Sequence, residues 1–178
     1  MEFQESQTYK NLQNLYLMKL ITGAKYQIYA DKARDDGYIQ IGNIFDVTAG
    51  NEIEHAIIWL RRLNNGVLPN TLTNLLESSQ SDINLVELQQ EYANVASTEG
   101  FEDIASLLYG IANIDMNHDL RFRTLAENVQ NNEVFCKEET TLWVCTVCGN
   151  IMGGDCAPEI CPICGYPQAY YQTFTERF

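Results

Sequence analysis

The spacing of apolar and polar positions has a helical period over most of the chain and predicts four helices. The first covers residues 9–34 and ends at Asp36-Gly37, where glycine accepts a positive φ. The second runs from about residue 38 to 63, the third from a cap at Ser81-Asp82 to about 98, and the fourth from about 101 to 130. Residues 66–80 contain a proline and several Asn, Thr and Ser residues and are predicted to be a long connection. Four helices with one long crossover favour an all-α ferritin-like four-helix bundle over residues 1–134.

The composition changes after the fourth helix. Residues 139–178 are dominated by Cys, Gly, Pro and Tyr and are predicted to form a second, small domain. Cys145 and Cys148 form one C-x-x-C-G knuckle, and Cys161 and Cys164 form another. Two such knuckles supply four thiolates in a tetrahedral array, which suits zinc or a single iron. The spacing alone leaves the choice between these metals open.

Two further cysteines, Cys136 and Cys156, fall outside the knuckles. We interpret them as small apolar side chains or incidental free thiols rather than as ligands. The chain begins without a charged leader and an apolar run, and its six cysteines bunch after residue 135. This distribution favours metal binding over a disulfide framework.

The bulk composition excludes some classes of function. Apolar residues make up 46% of the chain and charged residues 20%, which is an ordinary globular balance. A net charge of −13 argues against nucleic acid or an anionic membrane as the main partner. Charged and amide residues interrupt every apolar stretch before it reaches membrane-spanning length. We therefore expect a cytoplasmic protein.

Two carboxylate–histidine pairs lie on the predicted helices. Glu52 and His55 stand in NEIEHA of helix two, and Asp115 and His118 stand at the same offset in NIDMNHD of helix four. Each pair lies one turn apart on one helix face, and carboxylates and histidines that face the interior of a bundle are typical metal ligands. A single core histidine is usually structural, but two matching pairs exceed that expectation. Lys19 lies on the inner stripe of helix one and introduces a positive charge.

The chain resembles the rubrerythrin family over nearly its whole length. The segment APEICPICGYP, a tryptophan two residues before the first knuckle and three nearby tyrosines resemble a rubredoxin-type domain. KNLQNLYLMK, DDGYIQIGNIFDVTAGNEIEHA and STEGFEDIA resemble the helical domain of the same family. The resemblance implies one iron at the four cysteines, which carries a single electron, and a di-iron centre in the bundle that reduces hydrogen peroxide. It also implies a homodimer, a redox donor such as a rubredoxin or an NADH-linked reductase, and a link to oxidative stress.

The resemblance departs from the family pattern at the bundle site. Glu52, His55, Asp115 and His118 match the family's two Glu-x-x-His pairs, with Asp115 one methylene shorter. Lys19, Ser81 and Asn84 stand where the family has glutamates. Two carboxylates and an ammonium cannot offset the charge of two iron ions, so we expect no di-iron centre.

Three interpretations of the bundle site remain. A metal-free polar network of Lys19 with the two pairs is preferred. A single Zn, Fe or Mn ion held by the two histidines and two carboxylates is the second. A register shift of helix three that turns Glu87 or Glu91 inward is the third. Glu54 and Asp119, beside the histidines, are expected to face solvent.

The predicted function is a rubrerythrin-like electron-transfer protein with an intact tetrathiolate iron site and a degenerate di-iron site. No catalytic residue is assigned. One alternative is an active non-haem iron peroxidase with an altered metal site. The other is a zinc-ribbon protein with a structural or partner-binding role, and expression in a foreign host could load zinc into the same four cysteines.

Overall fold

The computed structural model describes residues 1–175 and contains four long helices followed by a small strand domain. The helices are α1 (Gln7–Asp35), α2 (Ile39–Leu63), α3 (Thr71–Thr98) and α4 (Glu102–Gln130). The strands are β1 (Cys136–Cys145), β2 (Ile151–Cys156) and β3 (Tyr171–Thr173). This order confirms the predicted fold class. The chain divides into two compact units, Met1–Pro69 and Asn70–Phe178.

The first unit is a helical hairpin of α1 and α2. Gly37 ends the turn between them with a φ of 87°, as the sequence predicts. The hairpin packs through small side chains, which let two helices approach closely. Its buried residues are Gly23, Ala30 and Ala33 on α1 and Gly42, Ala49 and Ala56 on α2.

The second unit begins with α3, and the predicted long connection over residues 66–80 is wrong for residues 71–80, which are helical. The helix starts at Thr71 instead of Ser81-Asp82, because Asn70 accepts a hydrogen bond from the backbone N–H of Thr73 at 2.9 Å. Leu72 and Leu75 are half-buried at helical spacing within this segment. Its Asn, Thr and Ser residues are poor helix formers, but packing against α4 overrides that local preference.

Asp119 on α4 is buried with 6% exposure, so the expectation that it faces solvent is wrong. The buried residues of α4 recur at every seventh position, and Asp119 occupies one place in a series otherwise made of alanines: Ala105, Ala112 and Ala126. Ser79 of α3 donates a hydrogen bond to Asp119 Oδ1 at 2.5 Å, and Arg123 lies 3.5 Å from Oδ2. The carboxylate is therefore partnered inside the α3–α4 hairpin.

The strand domain is a three-stranded sheet in the order β2-β1-β3, with antiparallel pairing on both sides of β1. Trp143 on β1 is fully buried and donates through Nε1 to the carbonyl of Gly154 at 2.9 Å. The buried cluster around it is Trp143, Cys145, Ala157, Cys161 and Tyr171. Two knuckle cysteines are thus part of the core of this domain.

Cys136 and Cys156 are joined by a disulfide, so their interpretation as free thiols or small apolar side chains is wrong. The regular β1–β2 ladder ends at the pair Thr141 and Gly154, and the register shifts before Cys136 faces Cys156. Residues 137–140 of β1 therefore lie opposite Asp155 alone. This irregularity brings the two sulfurs together, and a simple two-residue alternation does not reveal it.

Among residues 1–175, no helix is long and apolar enough to cross a membrane.

Candidate metal sites

The four knuckle cysteines converge at one point of the strand domain. Their sulfurs all lie within 4.8 Å of one another. Two of the separations, Cys145 to Cys164 and Cys148 to Cys161, are both 3.7 Å. Four sulfurs placed about 2.3 Å from a central ion at the corners of a regular tetrahedron lie about 3.8 Å apart. The sulfur cage therefore fits a single tetrahedral metal ion.

The two knuckles have matching backbone geometry. The N–H of Gly149 donates to the carbonyl of Cys145 at 2.8 Å, and the N–H of Gly165 donates to the carbonyl of Cys161 at 2.9 Å. Both glycines have a φ of 75°, a conformation that other residues rarely adopt. Each C-x-x-C-G sequence thus folds into the same tight turn, as its glycine predicts.

Hydrogen bonds and burial shift the pKa values of Cys161 and Cys164 in opposite directions. The Tyr171 hydroxyl donates to Cys161 and, with the backbone amides of Cys164 and Ile163, lowers the pKa of Cys161 to about 6. The backbone amide of Tyr166 favours the Cys164 thiolate, but burial and the neighbouring sulfurs raise the pKa of Cys164 to about 12. Thiolates crowded this closely repel one another, and a cation at their centre removes that repulsion.

The sulfur cage has a buried side and an exposed side. Cys145 and Cys161 are buried, Cys164 is half-buried and Cys148 is exposed. The side chains next to the exposed side include Val147, 44% exposed, and Ile163, 70% exposed. A bound ion would therefore be shielded by the domain core on one side and lie close to solvent on the other.

In the α1–α2 hairpin, Lys19 pairs with Glu52. Lys19 Nζ lies 2.6 Å from Glu52 Oε2, and the Glu52 side chain is only 14% exposed. His55 Nδ1 lies 3.6 Å from the other carboxylate oxygen, Oε1. The hydrogen bond from Lys19 lowers the pKa of Glu52, which keeps the carboxylate ionised. One carboxylate oxygen of Glu52 thus faces the ammonium of Lys19, and the other faces the imidazole of His55.

In the α3–α4 hairpin, Asp115 and His118 repeat this geometry, with His118 Nδ1 3.6 Å from Asp115 Oδ1. Asp82 of α3 joins them, and one ligand atom from each of these three residues lies within 4.8 Å of the other two. Gln89 donates to Asp115 Oδ2 at 2.6 Å. Asp82 Oδ2 and Gln89 Oε1 are buried without a hydrogen-bond partner in the described part of the chain.

Sequence reasoning missed Asp82 and Gln89 because it compared α3 with the family only at Ser81 and Asn84. Both of those residues are exposed, as are Glu87 and Glu91, which the third interpretation turned inward. Asp82 and Gln89 stand seven residues apart, the same interval that separates buried positions on α4. That interval is the signal that could have identified them as members of one helix face.

Comparison with known proteins agrees with the fold and the knuckle domain. Residues 22–82 match the family model described as rubrerythrin, and residues 143–172 match the model described as the rubredoxin-like domain of rubrerythrin. The rubrerythrin of Clostridium perfringens is 35% identical over 97% of this chain and 97% of its own length. The chain belongs to the rubrerythrin family. Within that family it is also similar to rubrerythrin-1 of Clostridium acetobutylicum, at 31% identity over 97% of both chains.

A solved structure of nigerythrin in a mixed-valence state is 21% identical to this chain and has a TM-score of 0.36. The match covers 95% of this chain and 87% of that chain.

Proposed function

We propose that this protein transfers single electrons through one iron ion held by Cys145, Cys148, Cys161 and Cys164. The observation that carries the proposal is the sulfur cage, whose 3.7 Å separations fit one tetrahedral ion. Iron bound in this way would supply a ferrous–ferric couple. The family membership favours iron over zinc, because the matched domain is the rubredoxin-like domain of rubrerythrin.

The protein's own groups would stabilise the reduced site and protect it from water. Donors to a sulfur draw off negative charge, and the Tyr171 hydroxyl and two backbone amides donate to Cys161. The fully buried Trp143 closes the interior of the domain. Cys148 is the exposed ligand of the four, so electrons would pass between the ion and a partner in solution on that side. A rubredoxin or an NADH-linked reductase would serve as the donor.

We propose that the helices hold no di-iron centre and that peroxide reduction is weak or absent. Lys19 Nζ lies 2.6 Å from Glu52 Oε2. A family metal centre needs this carboxylate free to bind a metal ion, but here it is paired with the ammonium of Lys19. Two divalent ions beside an ammonium would meet strong repulsion, which only added carboxylates could offset. The protein's link to oxidative stress would then run through its electron-transfer site.

A peroxidase with an altered metal site is the second candidate. The observation that favours it is the group of Asp82, Asp115 and His118, whose ligand atoms lie within 4.8 Å of one another. Two carboxylates and one imidazole suit a single Zn, Fe or Mn ion. Gln89 would hold Asp115 in place by its hydrogen bond of 2.6 Å.

Metal counting on the protein purified from its native host tests both candidates. We expect one iron per chain, a red colour from the ferric tetrathiolate and no peroxide turnover at ordinary family rates. Loss of both the iron and the colour in the Cys148→Ala variant would assign them to the cage. A colourless protein with one zinc per chain would refute the electron-transfer proposal and favour the zinc-ribbon alternative. A second metal ion lost in the Asp82→Asn variant, together with peroxide turnover, would favour the peroxidase.

We further propose that the protein is a cytoplasmic homodimer. Sedimentation equilibrium should then give twice the chain mass of 20.3 kDa. A mass that stays at the monomer value at micromolar concentration would refute the dimer.

A further inference from the structure

The disulfide between Cys136 and Cys156 lies outside the sulfur cage and has no role in the function proposed above. We infer that it is a thiol–disulfide exchange site of the strand domain, which accepts two electrons from a protein dithiol. The inference depends on the accessibility of the disulfide and on the backbone contacts that hold the chain around it. It does not depend on which metal the cage binds.

Both sulfur-bearing residues can be approached from outside. Cys156 is exposed, and Cys136 is half-buried. Cys136 also lines a cavity of about 580 Å³, which Val129, Val134 and Phe135 border on its apolar side. Exchange requires an attacking thiolate to reach one sulfur directly, and exposed disulfides are the readily reduced ones.

The chain around the disulfide is held in place by contacts that do not involve sulfur. The N–H of Ala157, directly after Cys156, donates to the carbonyl of Phe135, directly before Cys136, at 2.8 Å. Gln168 Nε2 donates to the carbonyl of Ala157 at 2.5 Å. These bonds persist when the disulfide opens, so the two thiols stay close enough to reoxidise. The site can therefore be reduced and reformed without unfolding the domain.

The regular part of the sheet is also separated from the disulfide by the register shift. The ladder from Thr141–Gly154 to Val144–Ile151 is intact on its own, and Trp143 is anchored within it. Residues 137–140 form an irregular segment between that ladder and Cys136. Opening the disulfide therefore leaves the strand that carries Cys145 in register.

The exchange balances in two steps. A thiolate of the donor dithiol attacks Cys156 Sγ, the Cys136–Cys156 bond breaks, and Cys136 leaves as a thiolate that takes up a proton. The second thiol of the donor, as its thiolate, then attacks the donor sulfur in the mixed disulfide and releases Cys156, which takes up the second proton. The donor loses two protons and two electrons and becomes a disulfide, while Cys136 and Cys156 become thiols. Cys156 is the attacked sulfur because it is the more exposed of the pair.

A redox titration of the full, metal-loaded chain tests the exchange. The oxidised protein is equilibrated without denaturant in graded ratios of reduced to oxidised dithiothreitol, then alkylated and mapped by mass spectrometry. We expect Cys136 and Cys156 to become alkylated together in one reversible two-electron transition, while the four cysteines of the cage stay unalkylated and the metal content per chain is unchanged. Reduction that occurs only in urea, or whose rate equals that of global unfolding at every reductant concentration, would overturn the inference.

A trapping experiment tests the direction of attack and the class of partner. A thioredoxin that lacks its resolving cysteine is mixed with the oxidised protein, and it should form a covalent adduct on Cys156. The Cys136→Ala/Cys156→Ala double variant should form none, which controls for attack on the cage. No adduct with the unaltered protein would refute exchange with a protein dithiol, and an adduct on Cys136 would refute the assignment of Cys156 as the attacked sulfur.

Discussion

The Cys136–Cys156 disulfide should contribute about 3 kcal/mol to the stability of the strand domain. The two cysteines are 20 residues apart in sequence. In the chain-entropy model, closing a loop of that length removes about 11 cal/mol/K from the unfolded ensemble, which is about 3 kcal/mol at 25 °C. The free energy of unfolding of the Cys136→Ala/Cys156→Ala double variant should therefore be about 3 kcal/mol lower than that of the unaltered protein. A structural metal contributes about 10–16 kcal/mol in comparable small domains, so the variant should still be folded when metal is bound.

Urea unfolding with equal metal loading of both proteins measures this difference. Trp143 lies in the strand domain and Trp59 in α2, and the chain has two tryptophans in total. A Trp59→Phe background thus makes fluorescence report on the strand domain alone. The metal contribution cancels in the comparison, because both proteins lose the same ion on unfolding. A difference below about 1 kcal/mol would refute the loop-entropy reasoning.

Three further changes test the sulfur cage, the Lys19–Glu52 ion pair and the Ser79–Asp119 hydrogen bond. Tyr171→Phe should lower the reduction potential of the iron-loaded protein, measured by spectroelectrochemical titration, because Cys161 loses a hydrogen bond that stabilises its negative charge. Lys19→Gln should raise the pKa of Glu52 toward its ordinary value of 4.5, because the hydrogen bond and the charge of Lys19 lower it. Since a lowered carboxyl pKa stabilises the fold above pH 4.5, the stability difference between wild type and variant should be constant there and shrink as the pH falls further. Ser79→Ala should cost about 1.5–3 kcal/mol in thermal or urea unfolding, because it removes the hydroxyl that donates to a buried carboxylate of α4.

Each of these changes has a matched control in the same element or next to it. Tyr170→Phe should leave the potential unchanged, because that ring packs edge-on against Tyr166. Lys25→Gln removes an exposed charge from α1 and should produce no change in the acid range. Ser81→Ala alters an exposed serine of α3 and should be within about 0.5 kcal/mol of wild type. If a control matches its test variant, the contact assigned to that variant does not explain the effect.

The helices and the knuckles could be predicted because local signals specify them. Gly37 and the knuckle glycines mark turns directly, and the predicted ends of α1, α2 and α4 lie within a few residues of those observed. The start of α3 could not be predicted in the same way. Residues 71–80 have weak helix propensity, and their helical state depends on packing against α4, which a single-sequence pattern does not reveal.

The side-chain networks were harder to predict because they depend on which residues face each other across two helices or two strands. Asp119, beside His118, was expected to face solvent, yet its place in a seven-residue alanine series puts it inside. Asp82 was predicted to cap a helix and instead lies beside Asp115. The disulfide depends on a register shift in the sheet, which the sequence spacing of Cys136 and Cys156 does not reveal.

The ion pair between Lys19 and Glu52 has a consequence for how the protein matures in the cell. Before a metal ion binds, the carboxylates of its ligand set have no cation between them and repel one another. The ammonium of Lys19 is a covalent part of α1 and lies 2.6 Å from Glu52 as soon as the two helices pair. We therefore expect this hairpin to assemble without iron, so that scarcity of iron would affect the strand domain while the α1–α2 hairpin folds normally.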